Sequence, residues 1–543
     1  MTDSPIDASP AQRSHDVLNH FLKSLNPLVG AHPGTLESLE SRMQLAGDLA
    51  VTVGTPTLKF SPSVQNDLIK VPVTITNVGD ETVTARFRLF LFLSNDRTVG
   101  SDYVYNAIER LHPIRPGQSF TPDVTSAMPH DPLGIVNGTA LPAGQYFIRA
   151  FISFLDGASD ADSANNNVFS TGSVGLNYTI GGGTGKTKQR TVTIPTGPFQ
   201  QLKFEIIGPG DGVVTSTGAG ASGSLSVATT GTTRASSLLI RTGEKFLPGS
   251  VANITVTGSL QRLQIPEINV TGNIAISGGL RFISARSISG STWSIGGAEA
   301  LDARLGTVVN TSLSSTGDIA NMTVASWTTD DGGTDALVAR SIRRLVVDGN
   351  FAPRIGASAG VNAITIAGTA NSFMDVTGSV TRFSAGSTGS SFVLNATRDI
   401  GTVEIKGNMQ GRIAAATIGS VLIQGSMSSA SVFAGTSLGS NGDIGGTGGA
   451  ADVFGAGSLG TLTVRGSATN SLVTCSLDHV NGQFFTSDDR FRSTSSRIGR
   501  IRIVGATFNT NFAAVTFGPS HSINGLTIIP GADARFRSDF PTP

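Results

Sequence analysis

Ile418-Gly419-Ser420-Val421-Leu422-Ile423-Gln424-Gly425 states most clearly a spacing that recurs through the second half of the chain: apolar, two residues, apolar, one residue, apolar, one residue, Gly. Further copies stand at Ile342-Leu345-Val347-Gly349, Val361-Ile364-Ile366-Gly368, Ile400-Val403-Ile405-Gly407, Leu459-Leu462-Val464-Gly466 and Ile498-Ile501-Ile503-Gly505. Val380-Phe383-Ala385 is another, with its glycine one residue early at Gly386, and Val251-Ile254-Val256-Gly258 reads as an earlier one. Starts lie 19, 19, 20 and 18 residues apart from Ile342 to Ile418, then 41 and 39, each near two periods. On a helix the three apolar positions would point to about 0°, 300° and 140°, so the third would face away from the others. On a strand the second and third share a face, and the glycines permit corners before and after them.

Second apolar runs often follow, as in Arg412-Ile413-Ala414-Ala415-Ala416, Ser431-Val432-Phe433-Ala434 and Ser471-Leu472-Val473-Thr474. Two or three short strands in each coil of about twenty residues describe a parallel β-helix over 191–543. No such coil buries its apolar face alone, so neighbours must stack. Roughly fourteen coils at about 4.8 Å would make a rod of about 65 Å. A leucine-rich repeat has the same core spacing, but here the apolar positions are mainly Ile and Val. The intervening stretches are Gly, Ser, Thr and Asn instead of helix formers, which disfavours that fold.

Upstream, Thr191 to Gly243, with Gly208-Pro209-Gly210-Asp211-Gly212 and Ser237-Leu238-Leu239-Ile240, reads as the first irregular coils and a cap. The run at 181–190 opens Gly181-Gly182-Gly183-Thr184-Gly185-Lys186-Thr187. It lacks the leading glycine of a phosphate loop, since Ile180 stands there, and a strand-like run follows it, so it reads as a linker. Residues 47–180 carry separated β-type runs: Leu49-Ala50-Val51-Thr52-Val53, Ile69 to Thr76, Ala85 to Leu93 and Gly144 to Phe154. Val71, Val73 and Ile75 alternate with Pro72, Thr74 and Thr76, the period of a half-buried strand, and several such runs indicate an antiparallel sandwich. Residues 1–46 read as a flexible leader with one helical candidate, Gln12 to Leu25.

Composition sets the functional bounds. The 543 residues hold 67 glycines and 39% hydrophobic residues, but only 14% charged ones, which fits a folded chain that is neither disordered nor coiled-coil. The 38 basic and 38 acidic residues cancel, so no net field favours nucleic acid. The longest apolar run, Leu89 to Leu93, is far too short to span a membrane, and no ordinary signal peptide is visible. Cys475, the single cysteine, excludes an intramolecular disulfide.

Three stretches resemble known families. Asp48-Leu49-Ala50-Val51, Val73-Thr74-Ile75-Thr76-Asn77-Val78-Gly79, Leu91-Phe92-Leu93-Ser94-Asn95-Asp96, Pro142-Ala143-Gly144-Gln145-Tyr146-Phe147-Ile148 and Asp162-Ser163-Ala164-Asn165-Asn166-Asn167 occur in the order of a CARDB domain, a bacterial cell-adhesion-related module. That resemblance implies an immunoglobulin-like interaction or spacer domain without catalytic residues. Leu36-Glu37-Ser38-Leu39-Glu40-Ser41-Arg42-Met43-Gln44-Leu45-Ala46 resembles the LEPR-XLL sorting motif of large bacterial envelope proteins. Ser41 replaces its Pro and Gln44 the first of its paired Leu residues. The repeats share the cadence of bacterial surface β-helix proteins.

A search for chemistry returns little. The seven histidines form no His-Glu-x-x-His, and no serine sits in a nucleophile elbow. Asp330-Asp331 and Asp488-Asp489 could pair as acid and base, as polysaccharide lyases and glycosidases require, but their Gly- and Ser-rich surroundings favour solvated turns. Asp156, Asp160 and Asp162 have the residue type of a calcium loop, whose spacing breaks at Ala164, so a structural turn is the expectation. Asn441 to Gly457 reads as an insertion between coils. The expectation is therefore a structural or adhesive, non-enzymatic bacterial protein, extracellular or at the cell envelope. It assigns no catalytic, cofactor or metal residue, and its partners would be surface glycans or other envelope proteins. The alternative is a polysaccharide-active β-helix enzyme; three or more carboxylates with an arginine in one groove would favour it.

Overall fold

The computed structural model describes residues 47–61, 66–94, 96–99, 103–110, 113–127, 144–156, 160–176, 178–181, 191–197, 200–217, 224–242, 249–445, 447, 449, 451–479 and 482–543. The leader with its sorting-like motif, and all of the glycine-rich linker except Gly181, lie outside them.

The first domain is an antiparallel sandwich. Its long strand Asn66–Asn77 pairs with Leu49–Val53 and Thr57–Ser61 along one edge, and with Ser119–Phe120 and Asp123–Ala127 along the other. The opposing sheet runs Tyr103–Arg110, Phe87–Ser94, Gly144–Phe154, Asn167–Leu176. Alternation decides the packing: Val71, Val73 and Ile75 meet Phe87, Leu89, Leu91, Ile148 and Ile152 in one core. The odd positions of Phe87–Ser94 point inward, leaving Phe90 and Phe92 on the outer face, where Phe90 stacks on Phe151 and the Arg149 guanidinium lies over Phe92.

The second domain is a parallel β-helix of about 14 turns spaced about 20 residues apart. Each regular coil gives a rung to three faces, and some strands bend through all of them, as Leu280–Ile295 does. The first face stacks Ile254, Ile274, Trp293, Leu313, Leu337, Ile355 and Met374. The second stacks the repeated motif: Ile319 on Ile342, then Val361, Val380, Ile400, Ile418, Leu459 and Ile498. The third stacks Val251, Val270, Ile288, Val308, Trp327 and Phe351. Stacking identical positions merges the coils into one continuous core. Buried Trp293 and Trp327 satisfy their indole N–H by donating to Ser291 Oγ and Thr311 O.

Three readings of the sequence change. Val251-Ile254-Val256 has the motif's spacing but lies on other faces. The true early copies on the second face are Leu260-Leu263-Ile265 and Leu280-Ile283-Ala285. Spacing alone cannot distinguish two faces that are both built from inward-pointing β residues. The 41- and 39-residue intervals are single coils, because Ile418 pairs directly with Leu459 and Leu459 with Ile498. Their extra residues leave the helix as excursions, each closed by a short antiparallel pair: Thr436–Ser437 with Val453–Phe454, and Leu477–Asp478 with Arg490–Phe491. The stretch Asn441 to Gly457 does lie in such an insertion. Finally, Tyr178–Ile180, read as the end of the sandwich, pairs with Asp211–Thr217, and Ile180 joins the β-helix core.

The entry cap is antiparallel. Thr191–Gly197 pairs with Gln200–Ile207, and Asp211–Thr217 with Ser224–Thr232; parallel pairing begins where Ser224–Thr232 meets Ile254–Gly258. Such a cap covers an otherwise open stack edge. At the other end, Thr516–Ile523 folds back on Leu526–Ile528. There His521 takes the place of the motif's second apolar residue, opposite Ile501. Its Nδ1 accepts from Ile501 N at 3.2 Å and its Nε2 donates to Gly518 O at 2.8 Å, which defines a neutral ring. Burial pushes its pKa below the ordinary 6.5. The stabilisation from this neutral histidine is complete above the unfolded value and is lost as pH falls through the folded one, at about 1.4 kcal/mol per unit of depression. Urea melts at pH 8 and pH 5 should differ for the wild type, and the His521→Gln variant should lose that difference; an unchanged pH dependence would refute the assignment.

Candidate functional site

A groove on the β-helix is lined in part by two glycines. Gly360 and Gly378 sit at the corner leading into the second face, with φ of +128° and +134°, a backbone region in which a side chain is strained. With residues of several successive coils they line a concavity of about 880 Å³. Ser358, Thr377 and Thr397 line one side, Arg343, Asn362 and Thr381 the other, with Arg398 at one end.

The hydroxyls are held in place by the neighbouring coil. Thr397 Oγ1 accepts from Gly378 N at 2.9 Å, and Ser379 Oγ accepts from Asp399 N at 3.4 Å, so both keep their protons for another acceptor. The guanidinium groups of Arg343 and Arg398 are exposed and make no hydrogen bond or ion pair among the described residues.

Among the described residues Asp318 is the only carboxylate lining the groove. It accepts from Arg340 Nε at 2.8 Å and from Ser341 Oγ at 2.7 Å, and these bonds, Arg340 first, hold its pKa below the usual carboxylate value. A carboxylate fixed as an anion by its own neighbours is poorly suited to donate a proton. The paired carboxylates of glycoside hydrolysis are not both present among the described residues that line it.

The other candidate residues are scattered. Asp330 and Asp331 form an exposed turn, Asp330 N donating to Asn310 Oδ1 and Asp331 Oδ1 accepting from Gly333 N. Asp488 and Asp489 part company: Asp488 is exposed, whereas Asp489 is fully buried and caps its own turn through Phe485 N, Thr486 N and Thr486 Oγ1. The expectation of a solvated turn fails for Asp489 because the insertion folds back on itself and encloses it.

Asp156, Asp160 and Asp162 do three separate jobs. Asp156 is clamped by Arg86 at 2.8 Å, which lowers its pKa. Asp160 accepts from Leu49 N at 3.1 Å, its pKa raised chiefly by desolvation, and Asp162 caps the short helical turn Ser163–Asn166 through Ala164 N. Among the described residues no three His, Cys, Asp or Glu side chains are grouped so as to hold a metal ion.

Two further buried groups lie away from the groove. His479 Nε2 meets Asp452 Oδ2 at 3.3 Å inside the insertions, with the imidazole edge-on to Phe454 and Phe484. Cys475 is buried, and desolvation pushes its thiol pKa up to about 12, which makes it an unreactive core residue in the folded state.

The sequence did not point to the groove. Its hydroxyl residues are those of any β-helix corner, and the concavity is built from residues of several coils about twenty positions apart. No helix is long and apolar enough to cross a membrane among the described residues. No family model, curated protein or solved structure matches the chain.

Proposed function

We propose that the protein is a non-enzymatic structural or adhesive component of a bacterial cell surface or its surroundings, and that its β-helix binds glycan in the Gly360–Gly378 groove. The observation that carries this reading is the lining itself: hydroxyls, an amide and two exposed guanidinium groups, with a single carboxylate already bound to Arg340. Such a surface recognises sugar hydroxyls and has no evident proton donor for cleaving a glycosidic bond. The CARDB-like sandwich and the LEPR-XLL-like leader support placement at the envelope, since both resemble parts of exported bacterial proteins.

The polysaccharide-active alternative makes an opposite prediction. The full chain is incubated with a panel of neutral and acidic glycans, with retention measured by affinity electrophoresis and cleavage by reducing-end and unsaturated-product assays. Retention without new chain ends is the expected result. Bond cleavage would overturn the non-enzymatic reading, and failure to retain any glycan would remove the binding role.

A further inference from the structure

We propose that the glycan is an anionic one, bearing carboxylate or sulfate groups, held by Arg343 and Arg398 and continued along the outer side of the second face. This inference rests on the groove being a glycan site and names the class of its ligand.

The cations of the β-helix are almost all arginine. Between residues 249 and 543 the chain has 19 arginines and one lysine, Lys406. Arginine presents a planar fork that pairs with carboxylate and sulfate in two-point fashion, whereas lysine is a point charge. Many of these arginines are used internally: Arg340 with Asp318, Arg354 with Asp375, Arg382 with Glu404, Arg412 with Asp443 and Arg492 with Asp478.

Arg535 and Arg537 pair with neighbouring acids as well, and the other twelve, spread over several parts of the β-helix, make no ion pair among the described residues. Arg343 and Arg398 line the groove. Arg344, Arg500 and Arg502 stand on outward positions of the second face, exposed and without a side-chain ion pair among the described residues. Acids on or beside this face include Asp302, Asp318, Asp348, Asp399 and Glu404. Asp318 and Glu404 are bound to arginine, and Asp302 accepts from Asn321 Nδ2 at 2.8 Å. Asp399, next to Arg398, is exposed, makes no ion pair among the described residues, and limits the excess of positive charge at that end. Around Arg500 and Arg502 the paired positions are hydroxyls: Thr461 and Thr463 in the preceding coil, Ser520 and Ser522 in the following one. A chain with no net charge therefore presents a locally cationic surface along one β-helix face.

The geometry favours a polysaccharide over a nucleic acid. No aromatic side chain lines the groove, so unpaired bases would find no stacking platform. Rungs spaced about 4.8 Å apart come close to the length one sugar adds to an extended glycan, so successive residues can meet successive coils.

The test uses one polymer backbone with different charges: dextran, carboxymethyl-dextran and dextran sulfate, with an oligothymidylate as the nucleic-acid probe. Binding of the full chain is measured by calorimetry at low and high salt, beside the Arg343→Gln/Arg398→Gln double variant and the single Arg343→Glu variant. Expected are binding of one or both charged dextrans, weakening at high salt, and a loss of about tenfold or more in the double variant with an unchanged thermal melt. Preference between the carboxymethyl and sulfate forms then identifies the anion. Unchanged affinity in both arginine variants would overturn the proposal, as would equal binding of oligothymidylate. Retention of only neutral glycans in the panel above would also overturn it while leaving the groove a glycan site, whereas retention of none would remove both readings.

Discussion

Replacing Gly419 by Val should destabilise the β-helix by about 3 kcal/mol or more, because the new Cβ has nowhere to go. A Cβ on Gly419 would lie 2.5 Å from the carbonyl oxygen of Gly401, and one on Gly401 would lie 2.5 Å from that of Thr381. Gly460, Gly499 and Gly518 continue the column, each against the carbonyl of the glycine one coil before it. None of these glycines has positive φ, so close approach between backbones, rather than a left-handed corner, requires them. The obstacle is a main-chain carbonyl of the preceding coil, which cannot rotate away as a side chain would. Gly455, whose Cβ would meet nothing within 4 Å, is the matched control: Gly455→Val should change the unfolding free energy from urea melts by less than about 0.5 kcal/mol. Cys475 supplies an independent readout, since its buried thiol should resist disulfide reagents in the wild type and react in Gly419→Val. Equal midpoints for the two variants would refute the column as a stacking constraint.

Phe433→Ala should cost about 3 kcal/mol, although Phe433 points out of the β-helix. Its neighbours Val432 and Ala434 face the central core, whereas Phe433 joins Val393, Ala414 and Leu438 in a separate cluster with Ile444 and Phe484 packed on it. Phe433 and Phe484 stack at 5.4 Å, so residues from both insertions close over the outer side of the first face. Asn395 joins the two layers, its Nδ2 donating to Leu438 O at 2.7 Å and its Oδ1 accepting from Leu438 N at 3.0 Å. Truncating Phe433 should therefore free the insertions, seen as new protease cuts within 435–457 and 476–497. Leu422→Ala, on the outer side of the second face where no insertion covers it, should cost under about 1 kcal/mol. If Phe433→Ala leaves both stability and the protease pattern unchanged, the insertions are not a structural buttress.

These two cases show why legibility in the sequence was uneven. The period and the 0, 3, 5 spacing were readable because each coil meets the same environment as its neighbours, so the same side chains recur at the same places. The column at Gly419 was visible as a recurring glycine, but its cause was not, since a corner and a backbone contact leave the same letter. Phe433 read as an ordinary strand residue, because its covering residues, Leu438 and Phe484, lie in insertions that carry no period.

The sequence by itself determined the class of architecture: alternation in Ile69 to Thr76 requires a half-buried antiparallel sheet, and stacked Ile and Val at a constant period require a parallel β-helix. Both follow from local rules, the two-residue pleat and the need of each coil to bury its apolar edge. Tertiary structure alone decided which face each copy occupies, that the long intervals are insertions rather than extra coils, and that Arg343, Gly360, Gly378 and Arg398 from successive coils line one groove. Each of these depends on the register between coils, a relation among residues about twenty positions apart that no single repeat contains.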